Sequence, residues 1–309
     1  MMTLLYKSDP ARGHAWQNIF ATEAPEIAFH LWPFSGDMRE VRYLAAWAPG
    51  PDIFAELPNL EVLFSIGAGI DQFNMSAIPP QVAIVRMIEP GIAEGMVEYA
   101  TFATLALHRD MLDYRADQNA RRWNPIAIIP AARRRVGVMG MGNLGRRVIE
   151  RLQTFGFPLS AWSRSPHDVP GVASFHGDAG LREFLGEVDI LICLLPLTDE
   201  TRGILCRETL ALLPVGAGLV NVGRGGHVVD QDLLLLLDSG HIRGAILDVF
   251  EPEPLPADHG FWGHPRILIT PHVASMTRTD SAARALIANI RRHRQGLPME
   301  GQVDRTRGY

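Results

Sequence analysis

Cysteine is almost missing from this chain. Cys193 and Cys206 are the only two in 309 residues, too few for a disulfide framework or a zinc cluster, and Cys193 falls inside an apolar run, so both read as core thiols. Long hydrophobic stretches are lacking as well. The longest aliphatic run, Leu233 to Leu237, is far too short for a bilayer span, and Met1 to Pro10 holds no apolar segment of signal-peptide length; the expected location is the cytosol. Charge of one sign is not concentrated anywhere: 29 Lys and Arg stand against 34 Asp and Glu, for a formal net charge of −5, with no basic run of the kind that arms a nucleic-acid binder. A nucleic-acid or membrane partner is therefore not expected. With 47% hydrophobic residues, the composition supports one or two full cores, and the length predicts two domains.

One stretch organises the rest. Arg135-Val136-Gly137-Val138-Met139 is a short apolar run that breaks into Gly140-Met141-Gly142-Asn143-Leu144-Gly145 and continues as Arg146 to Leu152 at helical spacing. In this strand–turn–helix reading, Gly140 permits the tight turn, Gly142 removes a Cβ where a pyrophosphate would approach, and Gly145 lets helix and strand lie close. The helix N-terminus offers its unpaired N–H groups to the anion. A second strand, Pro158 to Trp162, ends in Ser163-Arg164-Ser165. An NAD site places an acid there for the ribose 2′-hydroxyl; two hydroxyls and a guanidinium instead suit a 2′-phosphate, so NADP(H) is expected in preference to NAD(H).

The first part of the sequence alternates strand candidates, Thr3–Tyr6, Ile27–Leu31, Tyr43–Trp47, Val62–Ile66 and Ala83–Arg86, with helical or irregular segments. The fourth candidate runs into Gly67-Ala68-Gly69, either a plain glycine turn or a loop presenting N–H groups to an anion. Apolar spacing from Ala93 to Asn119 predicts one long helix. Trp123 on a polar stretch is read as exposed, either an oligomer contact or a loop anchor. From Val136 to Thr270, near-continuous apolar strands, Val188–Leu194, Gly218–Asn221, Gly244–Asp248 and Ile267–Thr270, predict a doubly wound parallel sheet. Asp230 to Gly240 fits a helix with Asp230 as N-cap and Gly240 just past its end, and Asp280 to Gln295 a final helix.

Ligands of such a sheet sit outside the carboxyl ends of its strands. Three late strands each deliver a titratable group there: Arg224 between glycines, a fork suited to a carboxylate; Glu253 in a proline-flanked loop after Asp248; and His272 directly after Thr270-Pro271. Each taken singly also reads as a surface charge, a solvated acid or a packing histidine. Together they supply what hydride addition to a 2-oxo acid requires, namely a proton for the developing alkoxide, a carboxylate partner for the imidazole and a cation for the substrate carboxylate.

The sequence resembles the D-isomer-specific 2-hydroxyacid dehydrogenases, and within them the NADPH-dependent glyoxylate/hydroxypyruvate reductase A group. The matching stretches are Ile66 to Asp71, Gly140 to Gly145, Trp162 to Ser165, Leu194-Leu195-Pro196, Asn221 to Gly225, Leu247 to Pro256, Thr270 to His272 and Gly301 to Arg305. The resemblance implies an α/β protein of two domains. Residues 1–97 and 276–309 would form a smaller flavodoxin-like substrate domain, residues 98–275 a Rossmann-type NADP(H) domain, with a cleft between them. It implies His272 as general acid, Glu253 as its partner and Arg224 as substrate clamp. Trp47 and the N–H groups of Ala68 and Gly69 would bind substrate. The cofactor would lie against residues 140–145, 163–165, Leu195, Pro196, Val222, Gly223, Arg224, Asp248 (facing the nicotinamide amide) and His272. A homodimer is implied, and feedback through an added regulatory domain is not expected. The missing acid after the second strand departs from the NAD-using members and agrees with the NADPH-using branch. Two further readings stay open on sequence: a related dehydrogenase for formate, phosphite or a bulkier 2-oxo acid, and a dinucleotide-sensing corepressor without turnover.

Overall fold

A computed structural model describes residues 2–305. In sequence order the elements are β1 (Met2–Lys7), α1 (Pro10–Glu23), β2 (Ile27–Leu31), β3 (Val41–Ala46), α2 (Ile53–Glu56), β4 (Val62–Ser65), β5 (Ala83–Val85), α3 (Pro90–His108) and α4 (Met111–Asn119). They continue as β6 (Val136–Met139), α5 (Asn143–Gln153), β7 (Leu159–Ser163), β8 (Ala173–His176), α6 (Gly177–Gly186), β9 (Ile190–Cys193), α7 (Arg207–Leu210), β10 (Ala217–Asn221), α8 (Asp230–Asp238), β11 (Ile242–Leu247), β12 (Ile267–Ile269) and α9 (Thr279–Arg294). They build two compact units, one from Met1–Ile92 and Met276–Tyr309, the other from Ala93–Ser275. The first crossing falls at Ile92, in the first turn of α3, five residues ahead of the expected boundary.

In the first unit five parallel strands follow the order β2-β1-β3-β4-β5, the flavodoxin-like arrangement, with its reversal between β1 and β3. Strands buried on both faces explain why the sequence shows continuous apolar runs rather than alternation. Trp16 and Phe20 of α1 are fully buried, and Phe20 packs on Phe29 at 4.9 Å between ring centroids. The C-terminal segment completes this unit: Arg284 and Arg291 of α9 pair with Glu23 and Glu26, and Val303 N–H donates to Ile84 O at 2.8 Å.

The second unit is a seven-stranded parallel sheet of order β12-β11-β10-β9-β6-β7-β8. Alternate strand residues face opposite helix layers. Val136, Val138, Ile190, Ile192 and Val220 meet α3 and α5, whereas Met139, Leu191, Cys193, Leu219 and Leu247 meet α6, α7 and α8. Complete burial pushes the Cys193 thiol up to about 12, so it behaves as an inert apolar filler. Cys206 does not share that core: it is half-buried at the head of α7, with its Sγ beside Thr209 Oγ1.

Two helix expectations are corrected. The long helix breaks at Asp110, whose φ of 58° is left-handed, because the Asp110 carboxylate turns to the Arg243 guanidinium while Arg243 also reaches Leu107 O at 2.6 Å. A long-range ion pair overrides local helical periodicity there. Asp230 is the first residue of α8 rather than its cap, and its carboxylate lies 3.2 Å from His259 Nε2. Gly240, with φ of 77°, does stand just past the end of that helix. Within the same unit His108 is buried, packed edge-on against Phe157, and burial, reinforced by the Arg134 guanidinium, holds its pKa below the ordinary histidine value.

Candidate active site

The strand order reverses between β6 and β9, the place where an open parallel sheet leaves a crevice outside its carboxyl ends. The glycine turn stands there. A Cβ on Gly140, whose φ is 110°, would come 2.8 Å from Leu194 O at the end of β9, and a Cβ on Gly145 would come 1.9 Å from Gly140 O. Both glycines are thus required by the protein itself. Gly142 is different: its φ is −73°, a Cβ on it would meet nothing within 4 Å, and as N-cap of α5 it provides no side chain for the first-turn N–H groups. The space in front of the helix is a cradle a side chain would fill, which fits a dinucleotide pyrophosphate. Met141 is buried beneath this turn, Leu144 packs against the core, and Asn143 is exposed.

At the end of β7, Ser163 is buried and its hydroxyl donates to Ser165 O at 2.8 Å, with His167 Nδ1 3.1 Å away. One of the two expected hydroxyl donors therefore closes the turn. Arg164 and Ser165 face outward, and Arg164 Nη1 lies 2.5 Å from Glu200 Oε2. These groups suit a 2′-phosphate. Leu195 is buried, Pro196 O accepts from Thr201 Oγ1 at 2.7 Å, and the Val222 side chain lies in the core, leaving only its backbone toward solvent-side chemistry.

The strands β10, β11 and β12 are consecutive neighbours, with Asn221 level with Leu247 and Leu247 level with Ile269. Arg224, Glu253 and His272 hang from these three ends, so the outer two strands stand roughly 10 Å apart. Arg224 sits in a tight turn: its N–H donates to His227 Nδ1 at 3.0 Å, its C=O accepts from Asn221 Nδ2 at 2.9 Å, and its Nη1 donates to Gly223 O at 2.7 Å. Gly225 must be glycine, since a Cβ there would lie 2.0 Å from the Phe250 carbonyl carbon. That contact presses the arginine turn onto the loop carrying Glu253.

His272 Nδ1 lies 2.8 Å from Glu253 Oε2, and Glu253 Oε1 accepts from Phe250 N–H at 2.9 Å. The acid is thus oriented by the backbone of its own loop, and the histidine by the acid. His272 has φ of 54°, a conformation costing a non-glycine residue about 1–2 kcal/mol. Asp248, only 1% exposed, holds it there. The backbone carbonyl of Asp248 accepts from His272 N–H at 2.7 Å, Oδ1 from Val273 N–H and the Thr270 hydroxyl, and Oδ2 from Ala274 N–H. Tyr99 OH lies 2.5 Å from Thr270 Oγ1, and burial pushes its pKa up to about 12. Sequence reading did not single out Asn221, His227, Thr270 or Tyr99. Asn221 and His227 did leave a signal, as polar residues bracketing an arginine at the end of an apolar run.

Within the first unit, Trp47 packs on the backbone of Gly67, where a Cβ would lie 2.7 Å from the indole Cζ3. Ser65, fully buried at the end of β4, donates to Gly69 O at 2.7 Å and accepts from Gly67 N–H at 3.3 Å. The N–H groups of Ala68 and Gly69 donate to no protein acceptor among the described residues. Nor, among those residues, is there a His/Cys/Asp/Glu cluster able to hold a metal, or a helix long and apolar enough to cross a membrane.

Residues 101–274 match the family model for the D-isomer specific 2-hydroxyacid dehydrogenase NAD binding domain. Several solved structures align along nearly the whole sequence. A D-isomer specific 2-hydroxyacid dehydrogenase from Xanthobacter autotrophicus Py2, in complex with NADPH and MES, is 38% identical with a TM-score of 0.94, covering 99% of each protein. An NADPH-dependent glyoxylate/hydroxypyruvate reductase from Sinorhizobium meliloti, in complex with NADP and sulfate, is 34% identical with a TM-score of 0.91, covering 100% of this protein and 99% of the other. A probable 2-hydroxyacid dehydrogenase from Rhizobium etli CFN 42, in complex with NADP, HEPES and L(+)-tartaric acid, is 31% identical with a TM-score of 0.91 and the same coverage. With a Rossmann-type sheet, its glycine turn and a family match over more than half its length, this protein belongs to the D-isomer specific 2-hydroxyacid dehydrogenases, a family of NAD(P)-dependent oxidoreductases.

Proposed function

We propose that the protein reduces small 2-oxo acids, such as glyoxylate or hydroxypyruvate, to the 2-hydroxy acids with NADPH. The observation that carries this is the His272–Glu253 pair, 2.8 Å apart at the mouth of the sheet and next to the Arg224 turn. Glu253 accepts from the imidazole Nδ1–H, which directs Nε2–H outward to the substrate carbonyl oxygen. Residues 140–145 with Leu195, Pro196, Val222 and Gly223 would hold NADPH, with Arg164 and Ser165 at its 2′-phosphate, and the bound cofactor would supply the hydride for C2. His272 gives its Nε2 proton to the oxygen that gains the electron pair, and water returns a proton to the ring. Arg224 neutralises the substrate carboxylate, and the buried carboxylate of Asp248 keeps the His272 turn in place. On the first unit, the two N–H groups of Ala68 and Gly69, beside Trp47, are suited to a carboxylate as well.

The S. meliloti relative is named for glyoxylate and hydroxypyruvate, which favours these over bulkier acids. We also propose a cytosolic homodimer that binds no nucleic acid. Trp123, 98% exposed, and Ile128 on the segment before β6 offer apolar surface for a second copy, to be read by light scattering. The test of function is initial-rate NADPH oxidation with a panel of 2-oxo acids, alongside His272→Asn. A general acid contributes about 10²–10⁴-fold, so the variant should lose that much kcat while still binding NADPH. Full turnover by the variant, or none by the parent with any 2-oxo acid, overturns the proposal.

A further inference from the structure

His227 takes no part in the chemistry above, yet its side chain is completely buried between the arginine turn and the end of β9. Its two ring nitrogens face partners of fixed polarity. Arg224 N–H can only donate, and it lies 3.0 Å from Nδ1; Pro196 O can only accept, and it lies 3.3 Å from Nε2. Only one neutral tautomer, with its proton on Nε2, satisfies both. The ring is also packed flat: a Cβ on Gly223 would come 2.9 Å from its Cε1 and Nδ1 and 3.0 Å from Leu195 O. Its backbone is anchored separately, by Leu205 N–H to His227 O at 2.8 Å, so the ring can be changed without releasing the segment.

We infer that His227 is a positioning residue that ties the Arg224 turn to the Leu195–Pro196 strand end, so that one imidazole sets both the substrate clamp and a stretch of the dinucleotide edge. This rests on the assignment of Arg224 to the substrate carboxylate and of Leu195 and Pro196 to the dinucleotide. The two nitrogens do separable work. Nδ1 orders the arginine, and Nε2, together with the Thr201 hydroxyl, orders the proline carbonyl.

Two amide side chains separate them. In His227→Asn the amide oxygen can take the place of Nδ1 as acceptor for Arg224 N–H, while Pro196 O loses the imidazole and is left with the Thr201 hydroxyl alone. In His227→Gln the amide nitrogen can take the place of Nε2, while Arg224 N–H loses its acceptor. Steady-state kinetics with glyoxylate should show His227→Asn keeping the KM for the 2-oxo acid within about twofold and raising that for NADPH about tenfold, the loss expected of one buried hydrogen bond. His227→Gln should show the reverse, and His227→Ala both losses. A merely structural residue would lower Tm in all three and move both constants together, and that outcome overturns the inference. If the variants fold poorly, Gly223→Ala, which crowds the ring but leaves it intact, should raise the KM for the 2-oxo acid, and an unchanged KM is equally fatal. Should the parent turn over no 2-oxo acid, the clamp assignment fails on its own. NADPH fluorescence titration still decides the cofactor half, with His227→Asn expected to bind more weakly than His227→Gln and equal binding overturning it.

Discussion

Replacing Thr270 by valine preserves the side-chain shape and removes one oxygen. That oxygen sits 2.5 Å from Tyr99 OH and 2.5 Å from the Asp248 carboxylate, and the threonine is the donor toward the acid. Losing a hydrogen bond to a buried charge costs about 1.5–3 kcal/mol, and stranding the phenol about 1 kcal/mol more, so Thr270→Val should destabilise by about 2.5–4 kcal/mol in urea unfolding. The catalytic effect follows from what Asp248 holds. Its carboxylate also binds Val273 and Ala274 N–H, and its C=O binds His272 N–H, keeping His272 at φ 54°. With that anchor weakened, the turn can relax toward ordinary backbone angles, and each 1.4 kcal/mol of relaxation removes about tenfold of the competent population. The kcat for glyoxylate should fall about tenfold or more, while the KM for NADPH stays within about twofold. Tyr99→Phe alone should be milder, and the double variant less damaging than the sum, with a coupling of about 1 kcal/mol. Additive effects, or a Thr270→Val enzyme as stable and active as the parent, would refute the series of contacts from Tyr99 to His272.

Other expectations follow from single contacts. Gly142→Ala should fold with an unchanged melting temperature, since its Cβ meets no protein atom, yet bind NADPH more weakly in a fluorescence titration; Gly145→Ala, with a Cβ 1.9 Å from Gly140 O, should lose the fold itself, and the opposite pattern would refute the cradle. Arg164→Ala should raise the KM for NADPH by about tenfold or more, the worth of one charge-assisted contact, and leave that for NADH nearly unchanged. Equal changes with both cofactors would end that assignment. His108 has a lowered pKa in the fold, so the unfolded protein takes up the proton first as pH falls below about 6.5, and stability should decline from there until the folded value is passed. His108→Phe should flatten that acid slope in Tm measured from pH 7 to 5.

The apolar runs and the glycine turn were readable because each is a local signal. β-branched and aliphatic residues between turns mark a strand wherever it lies, and Gly140 and Gly145 are dictated by contacts within their own strand–turn–helix or just across it. What remained hidden depends on partners far along the sequence. The break at Asp110 is set by Arg243, 133 residues away, and no window around Asp110 contains it. The edge strand β8 has the mostly exposed sequence Ala173-Ser174-Phe175-His176 and therefore carries no apolar run. Arg224, Glu253 and His272 were legible as residue types at strand ends. Of the groups that hold them, Tyr99 and Thr270 stand 171 residues apart and meet only in the fold, whereas Asn221 and His227 act on Arg224 from three residues away.

The interleaving of the two units has a consequence for biosynthesis. The seven-stranded unit is contiguous, Ala93 to Ser275, and all its strands are available once that segment has emerged from the ribosome. The five-stranded unit waits. Glu23 and Glu26 meet their arginines, and Ile84 O its donor Val303 N–H, only after residues 276 onward are made. The earliest-translated strands are therefore the last to be sealed, and their aliphatic surface is the part of the nascent polypeptide with most need of a chaperone.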